Sequence, residues 1–298
     1  MKCQLCQEDK LLCDSHIIPA FVYRWIKETS ATGFLRSFEN INLRVQDGKK
    51  QKLLCKECEG ILNTYETQFS KEIFYPYVNK ELDQYGIAKG NIKSFKYKEW
   101  LLKFIISIHW RVSIIDSTDD EIYVKNHKND IKSYLEKWRL FLLGSGKSTG
   151  LSETHLIFLQ NLAAADERLP ENISDKIVFY LLRATDGTII FTEKKLGVFS
   201  KIGPIAFYTF IKPPSLKKAN DTKIHLRGNI ETGQKISHPD IVDFLFIKRP
   251  NEIFSKIKFS DRQKKVVEKS YNKNLEKSLE SLTLTAYASD KFLKNRKL

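Results

Sequence analysis

Apolar positions along the chain fall into alternating helical and extended rhythms. Phe21, Val22, Trp25 and Ile26 mark one face of a short helix over residues 20–28. Ile61, Leu62, Tyr65 and Phe69 follow an i, i+1, i+4, i+8 stripe, which predicts a second helix after residue 58, ending near Pro76. Ahead of it, residues 11–18 and 40–54 read as a strand pair joined by a loop. Two longer helical stripes follow: Trp100, Leu101, Phe104, Ile105, Ile108 and Val112, then Ile131, Tyr134, Leu135, Trp138 and Leu142. The run Gly144-Ser145-Gly146-Lys147-Ser148-Thr149-Gly150 reads as a linker. Beyond it strand signals dominate. Residues 176–182 and 188–192 flank Asp186-Gly187, a hairpin dipeptide, and residues 197–211 and 241–247 are further apolar or β-branched runs. From about residue 260 the chain is helical, polar and basic. These patterns predict an α+β protein in three parts: a small N-terminal module (1–80), a helical segment (81–148) and a mixed α/β region with a basic helical C-terminus (149–298).

Composition narrows the class. The 298 residues are 42% hydrophobic and 12% aromatic, enough for a packed interior, so intrinsic disorder is excluded. Lys and Arg number 50 against 36 Asp and Glu, a net charge of +14 that favours a polyanionic partner. The excess is uneven. Residues 241–298 carry 14 Lys and Arg against 7 Asp and Glu, half of the net charge in a fifth of the chain. No run reaches the ~20 apolar residues of a membrane span, because Lys103, His109 and Arg111 interrupt the most apolar one. The start, Met-Lys-Cys, lacks the apolar core of a secretion signal, so a cytoplasmic protein with no membrane partner is expected.

The five cysteines carry the most chemistry. Cys3, Cys6, Cys13, Cys55 and Cys58 all lie within the first 58 residues. Cys3-x2-Cys6 and Cys55-x2-Cys58 are two knuckle spacings, and together they supply a tetrahedral four-thiolate site for structural Zn²⁺. In a reducing compartment such pairs bind metal more often than they form disulfides. A local alternative, Cys3, Cys6, Cys13 and His16, leaves Cys55 and Cys58 without a partner pair. With both CxxC pairs committed, Cys13 is expected to be a buried free thiol.

The order of these motifs is distinctive. CxxC is followed by Ser15-His16-Ile17-Ile18-Pro19, then an Asn-bearing loop, then Leu53-Leu54-Cys55-x2-Cys58 opening a helix. Residues 1–75 thereby resemble the zinc-knuckle branch of the HNH (ββα-metal) endonuclease superfamily, and more generally treble-clef zinc domains. The resemblance implies a metal-dependent nuclease acting on nucleic acid, DNA before RNA. His16 takes the place of the general base, Asn40 or Asn42 that of the residue orienting it, and Glu59 that of a ligand for catalytic Mg²⁺ or Mn²⁺. HNH-like modules of this kind often accompany a second region in prokaryotic defence proteins against mobile elements. One departure stands out: Ser15 occupies a position where such families carry a metal-binding Asp or His. Asn63 and Glu66, further along the same helix face as Glu59, could supply a rebuilt site.

Basic residues within the module, Arg36, Arg44, Lys49, Lys50 and Lys52, are the candidate phosphate contacts, with Lys264, Lys265, Lys269, Lys273 and Lys277 as a second set. The same residues also suit an inactive zinc-stabilised module that binds nucleic acid or protein, in which His16 only braces the knuckle. A protein-assembly role, with the charge serving solubility, is a third expectation. Nucleotide binding at Gly146-Lys147-Ser148 is excluded: a P-loop needs Gly where Phe141 stands, and a strand where the pattern is helical.

Overall fold

The computed structural model describes residues 1–79, 94–119, 121–160, 172–213, 219–236, 238–273 and 275–296. In the N-terminal part, β1 (Leu12–His16) pairs antiparallel with β4 (Lys50–Cys55), and His16 lies opposite Lys50. The connection between them holds α1 (Ala20–Glu28), β2 (Leu35–Arg36) and β3 (Arg44–Val45). Helix α2 (Lys56–Phe69) leaves β4 at Cys55. It does not stop before Pro76. A π turn at Ser70–Phe74 leads directly into α3 (Tyr75–Val78), with Pro76 near its start.

After β5 (Ser94–Tyr97), helices α4 (Glu99–Asp119) and α5 (Glu121–Leu142) form the centre of the molecule. A sheet follows in the order β6 (Glu153–Phe158), β9 (Ile205–Lys212), β8 (Leu196–Ile202), β7 (Thr185–Phe191), antiparallel throughout. Both of its faces are covered. Leu156, Phe158, Val198 and Phe207 join the core around α4, while Ile157, Phe199, Ala206 and Tyr208 face α6 (Ile177–Arg183) and the C-terminal helices. Double burial explains the nearly unbroken apolar runs in these strands. β10 (Gly228–Glu231) pairs with β5. Helices α7 (Pro239–Val242), α8 (Arg249–Ser255), α9 (Asp261–Lys273), α10 (Leu275–Leu279) and α11 (Leu282–Arg296) complete the chain.

Two strand expectations give way to helix. Residues 176–182 form the end of a loop and most of α6, because the Asp290 carboxylate accepts the amides of Val178 (2.7 Å) and Phe179 (3.0 Å) and caps the helix from α11. Residues 241–247 are helical because Ile241 and Leu245, one turn apart, are buried against the sheet. Asp186-Gly187 lies inside β7; the β7–β8 turn comes later, where Thr192 N–H donates to Lys195 O. One buried cluster takes in Cys3, Leu54, Trp110, Trp138 and Phe207, and so runs through all three sequence segments. Among the described residues, no helix is long and apolar enough to cross a membrane.

Arg111 holds the N-terminal module to this core. It is 1% exposed, and its guanidinium donates to His16 O (2.7 Å), Glu66 Oε1 (2.7 Å) and Ser107 O (3.1 Å). Replacing Glu66 with Ala would leave that charge buried without its counter-ion. The expected cost is about 3–5 kcal/mol, read as a lower denaturant midpoint with unchanged slope.

Candidate metal centre and adjoining cleft

The first knuckle is a tight turn. Gln7 N–H returns to Cys3 O and Cys3 N–H to Glu8 O, with Gln7 in the left-handed region at φ +66°. Gln4 N–H donates to Leu53 O, which sets this turn beside β4. The second knuckle is the start of α2, with Cys55 just before the helix and Cys58 in its first turn. The four Sγ atoms of Cys3, Cys6, Cys55 and Cys58 lie within 4.8 Å of one another and can hold a metal ion. The Cys6–Cys55 sulfur separation of 3.9 Å is close to the edge of a tetrahedron with ~2.3 Å metal–sulfur bonds.

The surroundings favour a thiolate at Cys3, whereas burial raises the thiols of Cys55 and Cys58. Burial works against ionisation of Cys3, yet hydrogen bonds from the amides of Cys55, Cys6 and Leu5 outweigh it and draw the thiol down to about 7. The α2 N-terminus adds the positive end of the helix dipole. Arg139 on α5 donates to Leu5 O (2.8 Å), which ties the knuckle to the core. Cys13 is half-buried rather than buried, and it is not part of the set.

On the opposite end of β1, His16 Nε2 lies 2.9 Å from Asp47 Oδ2, and the His16 side chain is 20% exposed. An ionised carboxylate can only accept, so Nε2 carries a proton, and in the neutral imidazole Nδ1 is the nitrogen with the lone pair. Asp47 also meets Lys50 Nζ at 2.6 Å and the Gly48 amide at 2.9 Å. Burial raises the Asp47 carboxyl, but the bonds from Lys50, His16 and Gly48 prevail and hold it at about 2. Its ionised form is thus favoured at every pH above the usual carboxylate value, and the contribution is lost only as pH falls through about 2. Gly48 is required by close approach: a Cβ there would lie 2.0 Å from the Tyr23 ring.

Asp47, Gly48 and Lys49 border a cleft of about 1200 Å³ between the N-terminal module, α4, β7 and the C-terminal helices. Asp116 and Asp186 also line it. Asp186 is held by Arg249 through paired 2.8 Å bonds and by Tyr180 Oη at 2.9 Å.

Set against protein-family models, curated proteins and solved structures, the chain matches none. Function must be read from the site itself.

The structure brings together only some of the sequence candidates. Asn42 bonds to Lys258 O and the Ser260 amide, and the partner of His16 is Asp47. Glu59 keeps a buried carboxylate oxygen with no hydrogen-bond partner. Glu66 is committed to Arg111, and Asp14 pairs with Lys52 (3.2 Å). Ser15 is fully buried and its hydroxyl has no partner. Among the described residues, the one group of three or more His, Cys, Asp or Glu side chains poised to hold an ion is the cysteine set, so the side chains present do not assemble a divalent site around His16. Of the candidate phosphate contacts, Lys49, Lys50 and Lys52 are well exposed. Arg36 bonds Gln263 Oε1 and lies over the Phe259 ring, whereas Arg44 bonds Ser270 Oγ and lies over Phe34. Sequence reasoning missed Asp47 and Arg111. Asp47-Gly48 carries the signal of a turn, which hides its second role. Arg111 was visible as a charge inside an apolar helix.

Proposed function

We propose that the chain is a zinc-framed nuclease of HNH-like, treble-clef pattern that hydrolyses nucleic-acid phosphodiesters. The His16–Asp47 contact carries this proposal: the imidazole is hydrogen-bonded to a carboxylate that itself lines an open cleft. Zn²⁺ at Cys3, Cys6, Cys55 and Cys58 is structural, since a closed four-thiolate site has no open position for chemistry. His16 Nδ1 takes a proton from water, and the water oxygen bonds to phosphorus. The phosphorus–oxygen bond to the departing sugar breaks, and that oxygen takes a proton from solvent. Lys49, beside Asp47, offsets negative charge on the phosphate. No step is assigned to Mg²⁺ or Mn²⁺.

A second possibility is favoured by the Ser15 position and the engaged state of Glu66: a catalytically inactive zinc-stabilised module that binds nucleic acid or protein. The deciding experiment incubates zinc-loaded protein with labelled single- and double-stranded DNA and RNA, each with Mg²⁺, Mn²⁺ or EDTA. Cleavage supports the nuclease. Steeply salt-dependent binding with no cleavage in any arm supports the inactive module.

Asp47→Asn adds a pH test. Because Asp47 stays ionised across about pH 5–8, this substitution is expected to lower the cleavage rate at every pH in that range. An unchanged rate across the range would show that Asp47 does not support the base.

A further inference from the structure

The two sides of the cleft differ in origin but share a chemistry. Phe34 and Phe38 come from the N-terminal module, while Phe259, Tyr271 and Tyr287 come from the C-terminal helices. All five rings are at least partly exposed. Cations are interleaved with them: Arg36 lies 5.1 Å over the Phe259 ring and Arg44 lies 4.4 Å over Phe34. Lys49 and Lys264 border the same cavity and are exposed.

Carboxylates line the cleft as well, Glu39 and Glu268 exposed and Asp47, Asp116 and Asp186 more buried. Asp47 and Asp186 are already neutralised by Lys50 and Arg249, and burial raises the Asp116 carboxyl above its usual range. Carboxylates repel phosphate but accept hydrogen bonds from the amino groups of bases. Rings together with exposed cations fit a strand whose bases stack within the cleft while its phosphates meet the lysines.

We propose that the cleft takes a single strand of nucleic acid, with bases stacked on these rings and phosphates along Lys49 and Lys264; only the position of the scissile bond rests on the nuclease proposal. A duplex keeps its bases stacked on one another and presents mainly phosphate, so a duplex-binding face needs cations but gains nothing from rings. Unpaired bases expose π faces that aromatic side chains bind without sequence preference. Aliphatic side chains, Ile41, Val45, Ile257 and Val267 among them, line the cleft together with hydroxyl and charged groups.

The test uses the full zinc-loaded chain carrying His16→Ala, so that binding is read without cleavage. Fluorescence anisotropy compares a labelled oligodeoxynucleotide of about 12 residues, its duplex and its RNA equivalent. The single DNA strand is expected to bind about tenfold or more tighter than the duplex. Phe259→Leu and Tyr287→Leu, which keep apolar bulk but remove the ring, should each weaken single-strand binding by about tenfold with duplex affinity unchanged. Phe34→Leu repeats the test from the opposite wall should either variant lower the unfolding midpoint. Equal or tighter duplex binding, or unchanged affinity in all ring variants, would overturn the proposal. The two proposals fail separately. A single-strand preference in a protein that never cleaves removes only the nuclease, whereas preferred cleavage of duplex removes only the single-strand substrate.

Discussion

Cys55→Ser, or removal of the metal with a strong chelator, is expected to unfold the N-terminal module and to destabilise the whole chain. Structural zinc supplies about 10–16 kcal/mol in small modules, comparable with the entire stability of a typical domain, about 5–15 kcal/mol. The four sulfurs sit within 4.8 Å of one another, with Cys3, Cys55 and Cys58 buried. The loss cannot stay local. Cys3, Leu5, Leu54 and Cys58 belong to the same buried cluster as Phe104 and Trp110 of α4, and Arg139 reaches across from α5 to Leu5 O. Metal analysis should find one zinc per wild-type chain and less than one in Cys55→Ser, with a lower thermal midpoint and reduced helical signal. Cys13→Ser, outside the set, should retain full metal content. An unchanged midpoint after complete metal removal would show that the cluster is not a structural centre.

His16→Ala is expected to lower cleavage by about 10²–10⁴-fold, the usual contribution of a general base, while zinc content and fold remain intact. Separation of the two effects follows from position. His16 lies at the end of β1 remote from the cysteines, its side chain is partly exposed, and its structural duty to Arg111 is carried by its backbone carbonyl, which alanine also has. Substitution therefore removes the imidazole but leaves the Arg111 bond in place. Equal activity in wild type and variant would exclude His16 as the base. A loss of zinc together with activity would identify it as a brace for the knuckle.

Much of the local structure was legible in the sequence. The stripe over Ala20–Glu28 matches α1 residue for residue, and the stripes of α2, α4 and α5 lie within the observed helices. Trp100, Trp110 and Trp138 are core residues, as their helical spacing implied. Each of these signals is short-range: a repeat of three or four positions shows itself within one turn of chain. Errors arose where a short apolar run took its conformation from elsewhere. Residues 176–182 are apolar enough for either strand or helix, and the carboxylate of Asp290, more than 110 positions away, satisfies the amides at the start of α6.

The candidate site divides along the same line. Spacing within each CxxC pair, and the helix that follows Cys58, fix two thiolates per turn, so the metal-ligand set was determined by the sequence. The partners of His16 were not. Asp47 is 31 positions away and Arg111 is 95, and each side chain carries an ordinary signal of its own, a turn residue in one case and a charge in an apolar helix in the other. Only the packing of β1 against β4 and of α4 beneath them brings these groups within hydrogen-bond distance. The cleft is likewise a product of tertiary structure, since its two walls are separated by some two hundred residues of chain and meet only because the C-terminal helices fold back over the loop at residues 34–45. Sequence alone determined the two cysteine pairs and the strongly periodic helices, because each of those depends on neighbours a few positions away. Tertiary structure decided what His16 faces, because that depends on contacts the chain makes only once its distant segments are packed together.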